Sequence, residues 1–299
     1  MSVSNPDIAG DRLERKRSPW RYLSVALTQT PGDTIALELA GDLARKHDAR
    51  LDVLQLMVMP SSSMFNPWAI VADPGFAQIY TDLREMAQTK ASTLRKTIAN
   101  MGVAGEVHTL ESFCLDPASL ASEAARATDL IVIARPHDAP LDTAIVHGYF
   151  ATLLQETGRP ILVVPSSHLP TFPPRRALVA WADTAESARA LHDAMPLLEQ
   201  CEAVEVLLVD PVATALEAHE KRGSRVIHTL NTRGIKARLT TCKSRGKPIG
   251  EMILAEARRG GAELIVAGGY GHGKVREWVL GGTTRDLFHD ASIPVLFAH

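Results

Sequence analysis

The residues best placed for chemistry lie near the C-terminus, in AELIVAGGYGHGKVREWVLGGTTRDLFHDASIPVLFAH, residues 262–299. Two apolar runs, 264–267 and 294–297, enclose two glycine clusters, Gly268-Gly269-Tyr270-Gly271 and Gly281-Gly282. Glycines directly after a buried strand let backbone approach a ligand and leave N–H groups free to point at it. The second cluster precedes TTRDLFHDA, whose Leu287, Phe288 and Ala291 share one helical face. Gly282, Thr283 and Thr284 then sit at a helix N-terminus, which attracts anions. Two donor clusters on one connection predict a phosphate cradle. Gly268 to Lys274 also spells G-x4-G-K, but Val275 stands where a phosphate-loop NTPase needs the hydroxyl that holds Mg²⁺. That match reads as accidental, which leaves an ATPase acting through Lys274 as the weakest of the functional readings.

The elements that must position this stretch recur along the chain. Strands are expected at 21–27, 49–59, 105–112, 129–134 and 159–165, and again at 177–181, 203–211, 235–241, 264–267 and 294–297. Helical spacing of apolar residues is found over 34–47, 83–101, 117–127, 188–198, 215–230 and 248–259. Residues 60–80, rich in Ser, Pro and aromatics, read as an irregular insert, and 166–175, with three prolines, as a linker. The chain is therefore a tandem repeat. Residues 134–165 align without a gap on 268–299, pairing Ala134 with Gly268 and Pro160 with Pro294, while Leu23 pairs with Ala177. Alternating strands and helices with short turns predict parallel sheets with helices on both faces. Ligands of such sheets bind at the carboxyl ends of the strands.

The spacing Gly268, Gly271, Gly281 and the closing Pro294-Val295-Leu296 resemble the universal stress protein family. Its nucleotide-binding members carry G-x2-G-x9-G-[S/T] between their last two strands; here Gly282 stands at the Ser/Thr position. The resemblance implies two tandem Rossmann-like α/β domains, each a five-stranded parallel sheet, at 20–165 and 176–299. It implies a stress-response regulatory protein that binds ATP or a related nucleotide, with Mg²⁺ or Mn²⁺ accompanying it and at most slow hydrolysis. The family's adenine-contacting Asp falls on Ala182, with Asp183 one residue later; the other reading of Asp183 is an N-cap. The family's second-strand backbone contact falls on Leu208. His272 lies beside the cradle, with Lys274 and Arg276 on a solvated face. In the first copy the glycines become Ala134, His137 and His147, so that copy is expected to be structural, with both histidines in an exposed loop. The alternative function is a nucleotide-free stress protein that acts through contacts with unknown protein partners. Pairing of last strands within one chain would make a pseudo-dimer; a homodimer is the other arrangement.

Charge of −2 over 299 residues gives no footprint for nucleic acid or an anionic membrane. No apolar run reaches membrane-spanning length, and residues 1–19, read as a mobile arm, lack a signal-peptide core. Cys114, Cys201 and Cys242 have no zinc spacing and read as buried, reduced thiols of a cytoplasmic protein. No motif of an assembled catalytic site is present.

Overall fold

The structure, a computed structural model, describes residues 20–58, 74–112, 116–136, 140–210, 216–269 and 282–299. The expected N-terminal arm, residues 60–73 of the insert, Cys114, His137, Gly271, His272, Lys274, Arg276, Trp278 and Gly281 lie outside the described residues.

The first copy runs β1 (Tyr22–Leu27), α1 (Asp33–His47), β2 (Arg50–Val58), α2 (Pro74–Asn100), β3 (Val107–Ser112), α3 (Pro117–Ala125), β4 (Leu130–Ala134), α4 (Pro140–Glu156) and β5 (Ile161–Val164). The second runs β6 (Arg176–Ala180), α5 (Ala185–Asp193), α6 (Met195–Leu198), β7 (Ala203–Val209), α7 (Leu216–Thr232), β8 (Ala237–Cys242), α8 (Ile249–Gly260), β9 (Leu264–Gly268), α9 (Gly282–Asp290) and β10 (Val295–Ala298). Three expectations are corrected. The long helix begins at Pro74, so the last part of the 60–80 insert is helical. The helix expected over 188–198 is two helices, with Pro196 in the first turn of the second. Proline has no N–H to continue the preceding ladder. Cys201 and Cys242 are half-buried rather than buried, and burial pushes the Cys201 thiol up to about 12.

Among the described residues, ten strands form one sheet in the order β3-β2-β1-β4-β5-β10-β9-β6-β7-β8. Within each copy every pair is parallel. The copies join where β5 and β10 run antiparallel, with Val163 opposite Val295, Leu162 opposite Leu296 and Ile161 opposite Phe297. Strands covered on both faces must be apolar in both parities. Leu23, Val25 and Leu27 accordingly enter one core layer and Ala26 the other. The first layer is closed by α1, α2, α5, α6 and α7, and the second by α3, α4, α8 and α9. Both layers run through the two copies without a break, and Phe172, between β5 and β6, packs on the first.

At the junction Phe150 of α4 stacks on Phe288 of α9 at 4.5 Å and meets Phe297 of β10 edge-on at 5.0 Å. His147 is therefore not an exposed loop residue. It lies on α4, half-buried, with its ring parallel to that of His289 at 6.1 Å. Burial and the neighbouring ring push His147 below its ordinary value, and burial does the same to His289. Asp290 and Asp286 act against the shift at His289, and Arg135 and Arg285 add to it. Among the described residues, no helix is long and apolar enough to cross a membrane.

Phe150→Ala removes the centre of this junction and should cost roughly 3–5 kcal/mol. Urea unfolding should still show one transition by fluorescence and circular dichroism, because the two copies share their core; two separate transitions would count against a shared core. The histidine pair sets a sign for pH. Both imidazoles are held neutral in the fold, so their contribution is present above the ordinary His value, about 6.5. It is lost as pH falls through the lower folded values. Denaturation midpoints measured from pH 7.5 down to 5 should therefore fall, and less steeply in His147→Gln.

Candidate functional site

In the second copy β6 lies between β9 and β7, and the chain leaves it in opposite directions on the two sides. Such a switch point leaves a crevice at the carboxyl ends of the strands, because the flanking connections diverge onto opposite faces. A cavity of about 310 Å³ occupies that crevice, at the lower end of the volumes usual for ligand sites. Its floor is the ends of β6 and β9, from Ala180 to Ala182 and Ala267 to Gly268. Leu207, Val209, Ile249 and Ile253 give it an apolar wall, and Thr184, Glu186 and Ser187 a polar one. Gly282, Thr283 and Thr284, the first turn of α9, close the remaining side.

Local sequence explains how the polar wall is held. Thr184 caps α5, its hydroxyl accepting from the Ser187 N–H at 3.3 Å. Ser187 Oγ in turn accepts from the Ala182 N–H at 3.2 Å, which ties the end of β6 to the helix. The first copy builds the same tie with a carboxylate. Asp33 accepts from the N–H groups of Thr28 and Gln29 at 3.0 and 2.8 Å, and the alignment of Leu23 with Ala177 carries Asp33 onto Ser187.

Of the residues expected at the site, Gly268, Gly282, Thr283 and Thr284 line the cavity together. Asp183 and Leu208 do not. Asp183 is exposed on the turn, and the N-cap of α5 is Thr184, which corrects the capping alternative for Asp183. Leu208 is buried with its side chain against α7, 3.3 Å from a Cβ built at Gly223. Its neighbours Leu207 and Val209 face the cavity instead, as alternation along a strand requires. The sequence reading missed Trp181, Thr184, Ser187, Ile249 and Ile253. The signal for Thr184 was its place immediately before α5, the N-cap position that a hydroxyl favours. Ile249 gave none beyond being a large apolar residue, 44% exposed, at the start of a helix.

Gly268 has a packing reason for its identity. A Cβ there would lie 2.7 Å from the Ser187 backbone nitrogen and 2.8 Å from the Glu186 carbonyl carbon. The first copy exchanges the two sizes. Ala134 stands at the Gly268 position, and Gly32 stands where the second copy has Glu186. A Cβ at Gly32 would lie 2.6 Å from that of Ala134. Each copy thus keeps one glycine where the end of its fourth strand meets the first helix, on opposite sides of the contact. Gly282 is different. Among the described residues, a Cβ there would meet nothing within 4 Å, and its φ is not in the left-handed region, so none of them opposes a side chain. Among the described residues, no group of three or more His, Cys, Asp or Glu could hold a metal ion.

Comparison with known proteins follows the same division. Residues 174–299 match the model of the Universal stress protein family. No curated protein matches the chain. A universal stress protein from Archaeoglobus fulgidus DSM 4304 is 17% identical and covers 93% of this chain and 97% of its own, with a TM-score of 0.71. A protein of Pseudomonas aeruginosa PAO1 described as functionally unknown is also 17% identical, covers 94% and 93%, and has a TM-score of 0.58. Both likenesses extend over the two copies and establish the fold. A universal stress protein from Archaeoglobus fulgidus in complex with dAMP is 16% identical and covers 48% of this chain and 97% of its own. Its TM-score of 0.31 is too low to bear on the ligand of this chain.

The two lining glycines should respond in opposite ways to a side chain. Gly268→Ala should lose about 1–3 kcal/mol by overpacking against α5. Gly282→Ser should stay within about 0.5 kcal/mol of wild type. Thermal or urea unfolding of the two variants checks the contrast.

Proposed function

We propose, from the universal stress protein domain at residues 174–299, that the second copy is a nucleotide-binding regulatory module. The observation that carries the reading is the cavity itself, which joins an apolar wall to the first turn of a helix at the switch point of the sheet. The Leu207, Val209, Ile249 and Ile253 side would take a base, whose faces are apolar. The first turn of α9 offers backbone N–H groups and the Thr283 and Thr284 hydroxyls to phosphate oxygens, with the helix dipole favouring negative charge. The described residues fit such a group at Gly282, where none of them comes within 4 Å of an added Cβ, which suits an oxygen of the ligand or a hydroxyl side chain. Glu186 works against it, since a carboxylate in the wall repels phosphate. Mg²⁺ enters this reading as the nucleotide's own companion, held by its phosphates. ATP is the nucleotide the family resemblance implies. No residue of the cavity is assigned to catalysis, so binding with a regulatory outcome is the function proposed, with slow hydrolysis at most.

One observation favours the second reading, a nucleotide-free protein that acts through its surfaces. Gly268 is explained by packing against α5 alone. The two readings separate in a calorimetric titration of ATP with Mg²⁺ into the whole protein. The expected result is saturable binding near one site per chain. Gly282→Ser should tighten it severalfold by adding a hydroxyl to the cradle, and Ile249→Trp should weaken it about tenfold or more by filling the apolar side. Absence of saturable heat from wild type and Gly282→Ser at millimolar ATP would overturn the nucleotide reading and leave the surfaces.

A further inference from the structure

The two copies differ most in chemistry at the opposite ends of their strands, where each buries one carboxylate. Ladder register makes the two residues equivalent. In the first copy Tyr22 faces Arg50 and Ser24 faces Asp52; in the second Arg176 faces Ala203 and Leu178 faces Glu205. Asp52 and Glu205 are both buried.

Asp52 is fully partnered by its own copy. One oxygen accepts from the Tyr22 hydroxyl at 2.5 Å and lies 2.6 Å from His108 Nε2. The other accepts from Arg50 Nε at 3.2 Å and the Glu106 N–H at 3.1 Å. Burial pushes this carboxyl up, but the Tyr22 and His108 contacts outweigh it, so it sits below the ordinary value.

Glu205 has lost that shell. Ala203 replaces Arg50, and Arg176 replaces Tyr22 but donates to the Gly260 carbonyl at 3.3 Å. Arg238 Nη2 bonds Oε2 at 2.6 Å, and the Thr240 hydroxyl also bonds the carboxylate. Oε1 is buried and, among the described residues, accepts no hydrogen bond, with Arg259 Nη2 3.6 Å away and engaged with Glu256. A buried carboxylate oxygen without a donor is costly, and such an atom calls for an explanation. Here the missing groups have left a cavity of about 530 Å³ between α8 and the amino ends of β6, β7 and β8. Its wall carries Arg176, Lys236 and Arg238 with Glu205 and Glu256.

We infer that this cavity is a second ligand site, for a small phosphorylated polyol or sugar. The chemistry follows from the wall. Three cations against two carboxylates, one of them already paired with Arg259, favour an anion. The orphaned Glu205 oxygen requires an O–H or N–H donor, which a bare phosphate at neutral pH supplies poorly and a hydroxylated one supplies well. Among the described residues no aromatic side chain lines the cavity, so none of them offers a base a face to stack on. Arg238 and Lys236 would meet the phosphate, and Glu205 would accept from a hydroxyl, the place that Tyr22 fills for Asp52. The site lies at the amino ends of the strands, and the proposed nucleotide cavity at their carboxyl ends, so the two inferences stand or fall separately.

The first copy supplies the test. Ala203→Arg rebuilds the Arg50 contact at an exposed position and should fill the cavity while satisfying Glu205. Glucose 6-phosphate, glycerol 3-phosphate and inorganic phosphate are titrated into the whole protein by calorimetry and thermal shift, up to about 10 mM. The expected result is saturable binding of a hydroxylated phosphate, at least tenfold tighter than inorganic phosphate. Lys236→Ala and Glu205→Gln should each weaken it about tenfold, and Ala203→Arg should abolish it with circular dichroism and ATP titration unchanged. Lys236→Ala alters an exposed side chain, so it keeps the test open if Ala203→Arg does not fold. Three results would overturn the inference: no saturable binding of either organic phosphate, binding that survives Ala203→Arg and Lys236→Ala, or inorganic phosphate binding as tightly as the hydroxylated probes.

Discussion

The antiparallel pairing of β5 with β10 is the contact on which the rest of the molecule depends. Each copy alone would end in a strand with one unpaired edge, and both strands are apolar on both faces. An exposed, apolar edge is a template for association with other chains. Pairing the two edges with each other removes both at once. It also brings α4 and α9 over the same face, where Phe150, Phe288 and Phe297 meet. The fit there is close and unequal. Leu154 packs so near Gly269 that a Cβ at that glycine would lie 2.6 Å from it. The aligned residue in the first copy is Arg135, whose buried guanidinium is pushed down to about 10 by burial, with the Asp290 charge opposing.

Joining two copies in one chain frees each to change alone. The scaffold contacts are kept in kind and altered in detail. The tie from the first strand to its helix uses Asp33 in one copy and Ser187 in the other. The close contact between strand end and helix uses Gly32 against Ala134 in one and Glu186 against Gly268 in the other. The buried carboxylate has four partners in the first copy, while the second leaves one oxygen unpartnered beside a cavity. A difference at the same place in the same fold has to come from side chains, because the backbone setting is shared. That makes the first copy an internal reference for the second.

The two ends of the second copy then have different characters. At the carboxyl ends, topology opens a crevice wherever a sheet of this order switches direction, and side chains decide only how it is lined. At the amino ends, topology opens nothing; the cavity there exists because Ala203 and Arg176 do not fill it. The first kind of site follows from the fold, and the second belongs to this chain's own residues.

The sequence by itself determined the repeat, its ten strands and the parallel order within each copy, because apolar runs bounded by glycine and proline report burial directly. It also marked Gly268, Gly282, Thr283 and Thr284, which lie on the one connection whose spacing is distinctive. Leu207, Val209, Ile249 and Ile253 were not legible as a site, since apolar residues at strand and helix ends look the same whether they face a cavity or a core. Nor was the role of Gly268 as a packing glycine, because its partner Glu186 is remote in sequence and only the tertiary fold sets the distance. The side chains of Asp183 and Leu208 lie off the cavity for a related reason, which leaves the backbone contact expected at Leu208 open. In a turn or a strand a shift of one residue reverses where a side chain points, and only the closed structure fixes that phase. Tertiary structure alone decided that Glu205 would be buried with an oxygen unpartnered, since its strand neighbours are set by register across the sheet and not by position along the chain.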